Sequence, residues 1–242
     1  MRRQRVIWKE DPKTGLSRNQ TPIVGRKGRW AISAHEPLGF TTKDGTRVTI
    51  MEMDESYIFA GDMKVNPNTG NPGCCTADCA IDPKTATPNP VFEEYHREAM
   101  RRYGQSTILA WHDEKVVGFV NFHPINAYFD GLCPQTDPDQ LRKKLDEFHW
   151  PAKADEKLRI LCVDLAPGFR RTGLGTKLVE ALIAWAPDWG FKRLHVGANE
   201  QAWWIPCKPF WEKLGFEVVE VIEFDKPRPD GDTKVFVMER AV

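Results

Sequence analysis

The sequence has no long hydrophobic run. Its 242 residues contain nothing close to the ~20 consecutive apolar residues of a transmembrane helix. The first residues, MRRQRVIWKEDPK, are basic and lack the apolar segment that a secretory signal needs. We therefore expect a globular protein of the cytoplasm that has no membrane partner.

The cysteines follow no disulfide pattern, and a chain of this length can bury a core without disulfides. The six cysteines are Cys74, Cys75, Cys79, Cys133, Cys162 and Cys207. A structural zinc needs four ligands, so the three thiols of CCTADC would need His96 or Cys133 as a distant fourth. We expect reduced thiols and no metal.

Net charge is also absent, because 34 basic residues balance 34 acidic ones. The first 30 residues are an exception, with nine Lys or Arg against Glu10 and Asp11. A solvated terminus is the favoured interpretation of this basic arm. Docking of the arm on nucleic acid or on an acidic partner stays open and is not favoured, because aromatic residues are not interleaved with the basic ones.

The order of helix and strand patterns indicates an α/β fold. A strand-like stretch begins at Arg47, and an irregular, Cys-containing insert covers about 61–90. The later segments are, in order, a helix at 91–104, a hairpin at 106–124, a helix at 141–150, a strand at 158–166, a helix at 175–186, a strand at 193–198, a helix at 208–215 and a hairpin at 216–240. We expect an extension at 1–45 and one domain at 46–242, whose most secure part is 91–242.

The stretch PGFRRTGLGTKL, residues 167–178, predicts a phosphate site. The first amides of a helix have no partner within the helix, and the helix dipole makes that end positive. Glycines let the backbone approach an anion, and Arg170 and Arg171 add charged donors. A phosphate or pyrophosphate fits this combination, whereas a turn with two exposed arginines is the alternative.

Two common phosphate motifs do not fit the stretch. A P-loop requires Gly-Lys-Ser/Thr after an earlier Gly, and GLGTKL does not supply it. A dinucleotide fingerprint needs a third glycine where Lys177 and Leu178 stand.

Residues 170–175, RRTGLG, resemble the Arg/Gln-x-x-Gly-x-Gly/Ala signature of the GNAT superfamily of acyl-CoA N-acyltransferases. The resemblance extends over about 91–242. TILAWHDEKVVGFVNF is similar to the family's second and third strands, and VDLAPGFRRTGLGTKLVEAL to its fourth strand, pyrophosphate loop and third helix. RLHVGANE and PFWEKLGFEVV resemble the strand, helix and strand that close the cofactor cleft. The implied fold is α/β (α+β), with a mixed, mostly antiparallel sheet, a splayed pair of parallel strands and flanking helices.

The resemblance implies acetyl-CoA as co-substrate and direct transfer of the acetyl group to an amine. The edge of the fourth strand would pair with the pantetheine arm, and the loop after it would bind the pyrophosphate. The residues implied in cofactor binding are Val163, Leu165, Arg170, Arg171, Thr172, Gly173, Leu174, Gly175, Thr176, Asn199, Phe210 and Trp211.

The catalytic groups are less clear from the sequence. Asp164 and Glu200 are the candidate general bases, because both lie near strand ends. Trp211 stands where the family often has a tyrosine that protonates the leaving thiolate, and an indole cannot do so. The proton for the thiolate would then come from Cys207 or from a water, or the thiolate would leave unprotonated. Trp203 and Trp204 are candidates to line the acceptor pocket.

The sequence thus predicts an N-acetyltransferase whose acceptor is an amine on a small molecule or a protein. The alternatives are a non-catalytic acyl-CoA-binding module, which the missing tyrosine favours, and an acetyltransferase that acts on a nucleic-acid-associated substrate. A homodimer is compatible with all three.

Overall fold

The computed structural model describes residues 35–53, 90–113, 115–127, 137–151, 154–200, 207–226 and 233–242. Residues 1–34, which include the basic arm, and the segment that contains Cys74, Cys75 and Cys79 lie outside the described residues. In the part that is described, no helix is long and apolar enough to cross a membrane.

The chain forms eight strands and four α-helices in the described ranges. The strands are β1 Leu38–Thr41, β2 Arg47–Glu52, β3 Thr107–His112, β4 Lys115–Pro124, β5 Lys157–Leu165, β6 Arg193–Asn199, β7 Glu217–Glu223 and β8 Lys234–Ala241. The helices are α1 Pro90–Tyr103, α2 Pro138–Glu147, α3 Leu174–Trp185 and α4 Lys208–Lys213. Short 3₁₀ turns lie at Ile125–Ala127, Pro167–Phe169 and Ala186–Trp189.

All eight strands belong to one sheet, in the order β1-β2-β3-β4-β5-β6-β8-β7. Neighbours are antiparallel except β5 and β6, which are parallel. The mixed, mostly antiparallel sheet and both predicted hairpins are therefore confirmed. β1 lies before residue 46, in the part of the chain predicted to be an extension.

The larger core lies between the sheet and α3. Leu178, Leu182 and Trp185 are buried on one side of this helix, whereas Ile183 is only half-buried. They pack in one cluster with Val120 of β4 and Val163 of β5. Phe119 and Cys162 pack in a separate cluster with Met100 of α1. The core cluster with α3 is thus distinct from the cluster with α1.

A histidine fastens the segment before β1 to the end of α3. His35 Nδ1 lies 2.9 Å from a carboxylate oxygen of Glu52, and Nε2 lies 2.8 Å from Asp188. The ring stacks on Trp185 with centroids 4.8 Å apart. Burial alone would lower the pKa of His35, but the hydrogen bonds to the two carboxylates outweigh burial and raise it. The contacts of His35 with Glu52 and Asp188 are therefore strongest when His35 is protonated.

Two other histidines are buried between α1 and the sheet. The ring centroids of His96 and His123 are 5.4 Å apart, and both side chains are inaccessible to solvent. His96 Nδ1 lies 3.3 Å from Ser106 Oγ. Burial lowers the pKa of His96 to about 4. Burial also lowers the pKa of His123 well below its usual value, and the neighbouring His96 adds to this effect.

We expect the free energy of unfolding to fall when the pH falls below neutral. Unfolding lets His96 regain its ordinary pKa of 6.5, so the unfolded state binds more protons between that value and about 4. His96 alone should then cost about 2 kcal/mol between pH 8 and pH 5. Denaturant unfolding across this range measures the effect.

His96→Asn should flatten this pH dependence, whereas the same change at the exposed His149 should leave it as in the wild type. His35 acts in the opposite direction, because its stabilisation is complete below its unfolded pKa and is lost as the pH rises through its raised folded pKa. Its contribution is common to both variants and cancels in the comparison. An unchanged slope in His96→Asn would contradict the assignment.

Candidate active site

The two parallel strands of the sheet separate partway along their length. The ladder between β5 and β6 has four residue pairs and ends at Ile160 and Val196. Beyond this point β5 continues beside β4 to Leu165, and β6 continues beside β8 to Asn199. A wedge therefore opens in the sheet at the carboxyl ends of these strands, where α/β proteins bind ligands.

A β-bulge marks the start of the wedge. Asn121 of β4 is opposite Cys162 and the next residue, Phe122, is opposite Ile160, so Leu161 is an extra residue in β5. Cys162 packs in the cluster with α1, whereas Ile160 and Val163 pack in the cluster with α3. Because a bulge bends its strand and increases its twist, it accounts for the departure of β5 from β6.

The loop after β5 is an unusual turn. Arg171 and Gly173 both have positive φ values, 65° and 93°. The Thr172 hydroxyl donates to the carbonyl of Phe169 over 2.7 Å, which anchors the loop. Arg170 and Arg171 are exposed on its surface. The left-handed conformation at the N-cap of α3 explains why glycine occupies position 173.

The amides at the start of α3 face outward from the helix. The amide of Lys177 donates to the carbonyl of Gly173, and no acceptor in the described ranges is found for the amides of residues 173–176. Leu174 is fully buried, so only its backbone can serve a ligand. Thr176 is exposed. The predicted pyrophosphate residues thus form one positive helix end next to the tip of β5.

Leu165, at the tip of β5, is held by glycine contacts. A Cβ on Gly175 would lie 3.4 Å from one methyl of Leu165, and a Cβ on Gly118 of β4 would lie 2.5 Å from the other. The added Cβ of Gly118 would also lie 3.3 Å from Leu178 of α3. The sequence alone does not point to Gly118, because the need for glycine there follows from contacts with Leu165 and Leu178, which are 47 and 60 positions further along the chain.

The two candidate bases lie at the ends of two different strands, Asp164 in β5 and Glu200 just after β6. Asp164 is half-buried and directly opposite Phe119, so the two side chains share the face that packs on α1. Its carboxylate accepts a hydrogen bond of 2.8 Å from the amide of Leu165. Glu200 is exposed just after β6. Lys234 has a raised pKa through its hydrogen bond to Glu223, with a smaller contribution from the charge of Glu200.

The other wall of the wedge joins β6 to α4. Asn199 forms a parallel bridge with Cys207, the residue before α4. Phe210 is half-buried, and its ring meets that of Trp211 edge to face at 5.0 Å. Trp211 is only 2% exposed and also contacts Phe216 at 5.1 Å. The side chain at the predicted tyrosine position is therefore part of the core.

Two predicted residues of the acceptor pocket, Trp203 and Trp204, lie outside the described residues. Among the residues that are described, no cluster of three or more His, Cys, Asp or Glu is arranged to hold a metal ion.

Comparison with known proteins gives a family match. The model of the acetyltransferase (GNAT) family matches residues 76–216. A search of curated proteins gave no match.

Several solved structures share the fold. For yncA from Salmonella typhimurium, solved with its cofactor acetyl-CoA, the TM-score is 0.51 and the identity is 18%, over 80% of this chain and 93% of that one. For ribosomal-protein-alanine N-acetyltransferase from Brucella melitensis, the TM-score is 0.50 and the identity is 17%, over 80% of this chain and 99% of that one. At these identities the likeness concerns the fold.

We expect Gly118→Ala to destabilise the protein by about 1–3 kcal/mol, because the added methyl overlaps Leu165. Gly168→Ala is the matched control, since nothing lies within 4 Å of its added Cβ, and it should change stability by less than about 0.5 kcal/mol. Denaturant midpoints measure both. Equal unfolding midpoints of the two variants would contradict this expectation and show that β4 can shift to accommodate the added methyl group.

Proposed function

The chain belongs to the acetyltransferase (GNAT) family, and we propose that it is an N-acetyltransferase that moves the acetyl group of acetyl-CoA directly to an amine. The observation that carries this proposal is the wedge between β5 and β6, next to the amides at the start of α3. An extended, peptide-like arm fits a strand edge, and a pyrophosphate fits a positive helix end.

The cofactor would extend from the helix end into the wedge. Its pyrophosphate would contact the amides of residues 171–176 and the side chains of Arg170 and Arg171. Its pantetheine arm would run along Val163 and Leu165, beyond the last β5–β6 pair. Asn199, Phe210 and Trp211 would lie on the opposite side. The thioester would lie near the β-bulge at Leu161, where the strands part.

The reaction needs a neutral amine. Its nitrogen attacks the thioester carbon, the carbon–sulfur bond breaks, and the proton that the amine loses must finally reach a base or the thiolate. Backbone amides at the β5 edge would stabilise the oxyanion during attack. Asp164 and Glu200 are the candidate bases. Asp164 lies in β5 itself, on the face that packs on α1, whereas Glu200 is exposed beyond the end of β6.

The leaving thiolate poses a separate question, because Trp211 has no acidic hydroxyl. A buried indole would fill the core behind the wedge and exclude water from it. Protonation of the thiolate would then depend on Cys207 or on a water, or the thiolate would leave unassisted. The acceptor is an amine of a small molecule or a protein, and Trp203 and Trp204 are candidates for its pocket.

Thiol release tests the proposal. Acetyl-CoA is incubated with a panel of small amines and peptides, and free coenzyme A is measured with a thiol reagent. Amine-dependent release supports the transferase. Tight binding of acetyl-CoA without release for any amine would favour the non-catalytic module.

We expect Arg170→Ala combined with Gly173→Asp to abolish acetyl-CoA binding. The first change removes a charge-assisted donor worth about 1.5–3 kcal/mol, and the second adds a carboxylate where the phosphates would lie. Calorimetric titration is the measurement. Undiminished affinity would show that the loop is not the pyrophosphate site.

Gly190→Asp combined with Lys192→Ala provides the matched control. Gly190 likewise has a positive φ, of 90°, but it lies beyond the opposite end of α3. The control changes the net charge equally and should retain cofactor affinity.

We expect Trp211→Tyr to raise turnover about threefold or more if expulsion of the thiolate limits the rate, since general-acid help is typically worth about 10²–10⁴-fold at ideal placement. Trp211→Phe is the control, because it differs from the tyrosine variant only by the hydroxyl. Both variants shrink a buried side chain and should lose stability alike. Equal turnover of the folded tyrosine and phenylalanine variants would show that this hydroxyl does not protonate the thiolate.

A further inference from the structure

The turn between β1 and β2 reaches the loop at the start of α3. The amide of Lys43 donates to the carbonyl of Thr172 over 3.1 Å. Phe40 Cζ and Lys43 Cε lie 3.6 Å and 4.0 Å from the point where a Cβ on Gly173 would stand. A hairpin at the edge of the sheet thus contacts the residue at the N-cap of α3.

The position of Lys43 is fixed by its own turn. The amide of Thr42 donates to the carbonyl of Thr46 over 2.9 Å, and the amide of Gly45 donates to the carbonyl of Thr42 over 3.0 Å. Phe40 packs against the main core. The Lys43 backbone is therefore fixed against the loop, and only the end of its side chain needs to be ordered by a ligand.

The charge around this contact is positive. The sequence has no acidic residue between Asp164 and Glu180, and Arg170, Arg171 and Lys43 are all exposed. Asp44 is the nearest acidic residue in the turn. Its carboxylate accepts hydrogen bonds from the hydroxyl of Thr42 and the amide of Thr46, which direct it to its own turn.

We propose that Lys43 binds the pyrophosphate of the coenzyme A thioester, as a cationic residue outside the 170–176 loop. The ammonium group is one bond beyond Cε, so it can reach an anion bound beside the amide of Gly173. The inference rests on the proposed function, because it assumes that the cofactor occupies this loop. It adds a part of the chain, the β1–β2 turn, to the cofactor site.

The test compares two ligands and two lysines by calorimetric titration. Acetyl-CoA and acetyl-3′-dephospho-coenzyme A share the pyrophosphate and the acetyl thioester and differ only at the 3′-phosphate. Lys43→Ala should weaken both by the same factor, about fivefold, as expected for one charge-assisted contact at an exposed site. Lys43→Arg should retain most of the affinity. Lys192→Ala, which removes an exposed lysine paired with Glu156, is the control and should change neither affinity.

The salt dependence gives a second readout. Loss of one phosphate contact should reduce the steepness with which affinity falls as salt rises, whereas a structural role for Lys43 would leave it unchanged. The unfolding midpoint of Lys43→Ala should equal that of the wild type, because the hydrogen bond to Thr172 comes from the backbone.

Three outcomes would overturn the assignment. Unchanged affinity in Lys43→Ala, with the wild type binding both ligands, rejects Lys43 alone and leaves the proposed function intact. Weakening of acetyl-CoA only would assign Lys43 to the 3′-phosphate instead. Failure of the wild type to bind either ligand would reject the cofactor site, and the Lys43 assignment with it.

Discussion

The organisation of the site depends on one interruption of backbone pairing. A strand in the middle of a sheet normally hydrogen-bonds on both edges, because backbone amides and carbonyls removed from water need partners. β5 and β6 pair over four residues only, and the bulge at Leu161 turns β5 away from its neighbour. Beyond these four pairs, the edge of β5 that faces β6 lies in the middle of the sheet. An extended ligand could make there the backbone hydrogen bonds that a neighbouring strand would otherwise make.

The packing around β5 keeps this edge in position. Leu165 lies against two glycines: a Cβ at Gly118 of β4 would overlap its side chain, and a Cβ at Gly175 of α3 would lie 3.4 Å from it. The same close approach sets the start of α3 next to the tip of β5. The core therefore holds the edge of β5 and the positive end of α3 next to each other. Because only a short loop separates them, one extended ligand could contact both.

The sequence predicted what is local and missed what depends on distant pairing. The order of elements from β3 onward follows from periodicity, and the loop at 170–176 is a continuous motif. β1 escaped notice because it has four residues, LGFT, with half-exposed positions. The bulge at Leu161, the requirement for Gly118 and the approach of Lys43 follow from register and packing between segments far apart in the chain. The burial of Trp211 is a tertiary property of the same kind, whereas the roles of Asp164 and Glu200 stay predictions.

The short ladder between β5 and β6 has a consequence for local opening of the fold. The sheet pairing that links β6, β8 and β7 to the other five strands consists of only four residue pairs. Amide protons along the wedge should accordingly exchange with solvent through small opening events, well before the whole domain unfolds. A ligand that bridges the two strands would slow exchange on both sides together. Binding of a ligand in the wedge would then be detectable as slower amide exchange in parts of the backbone that are far from the reacting groups.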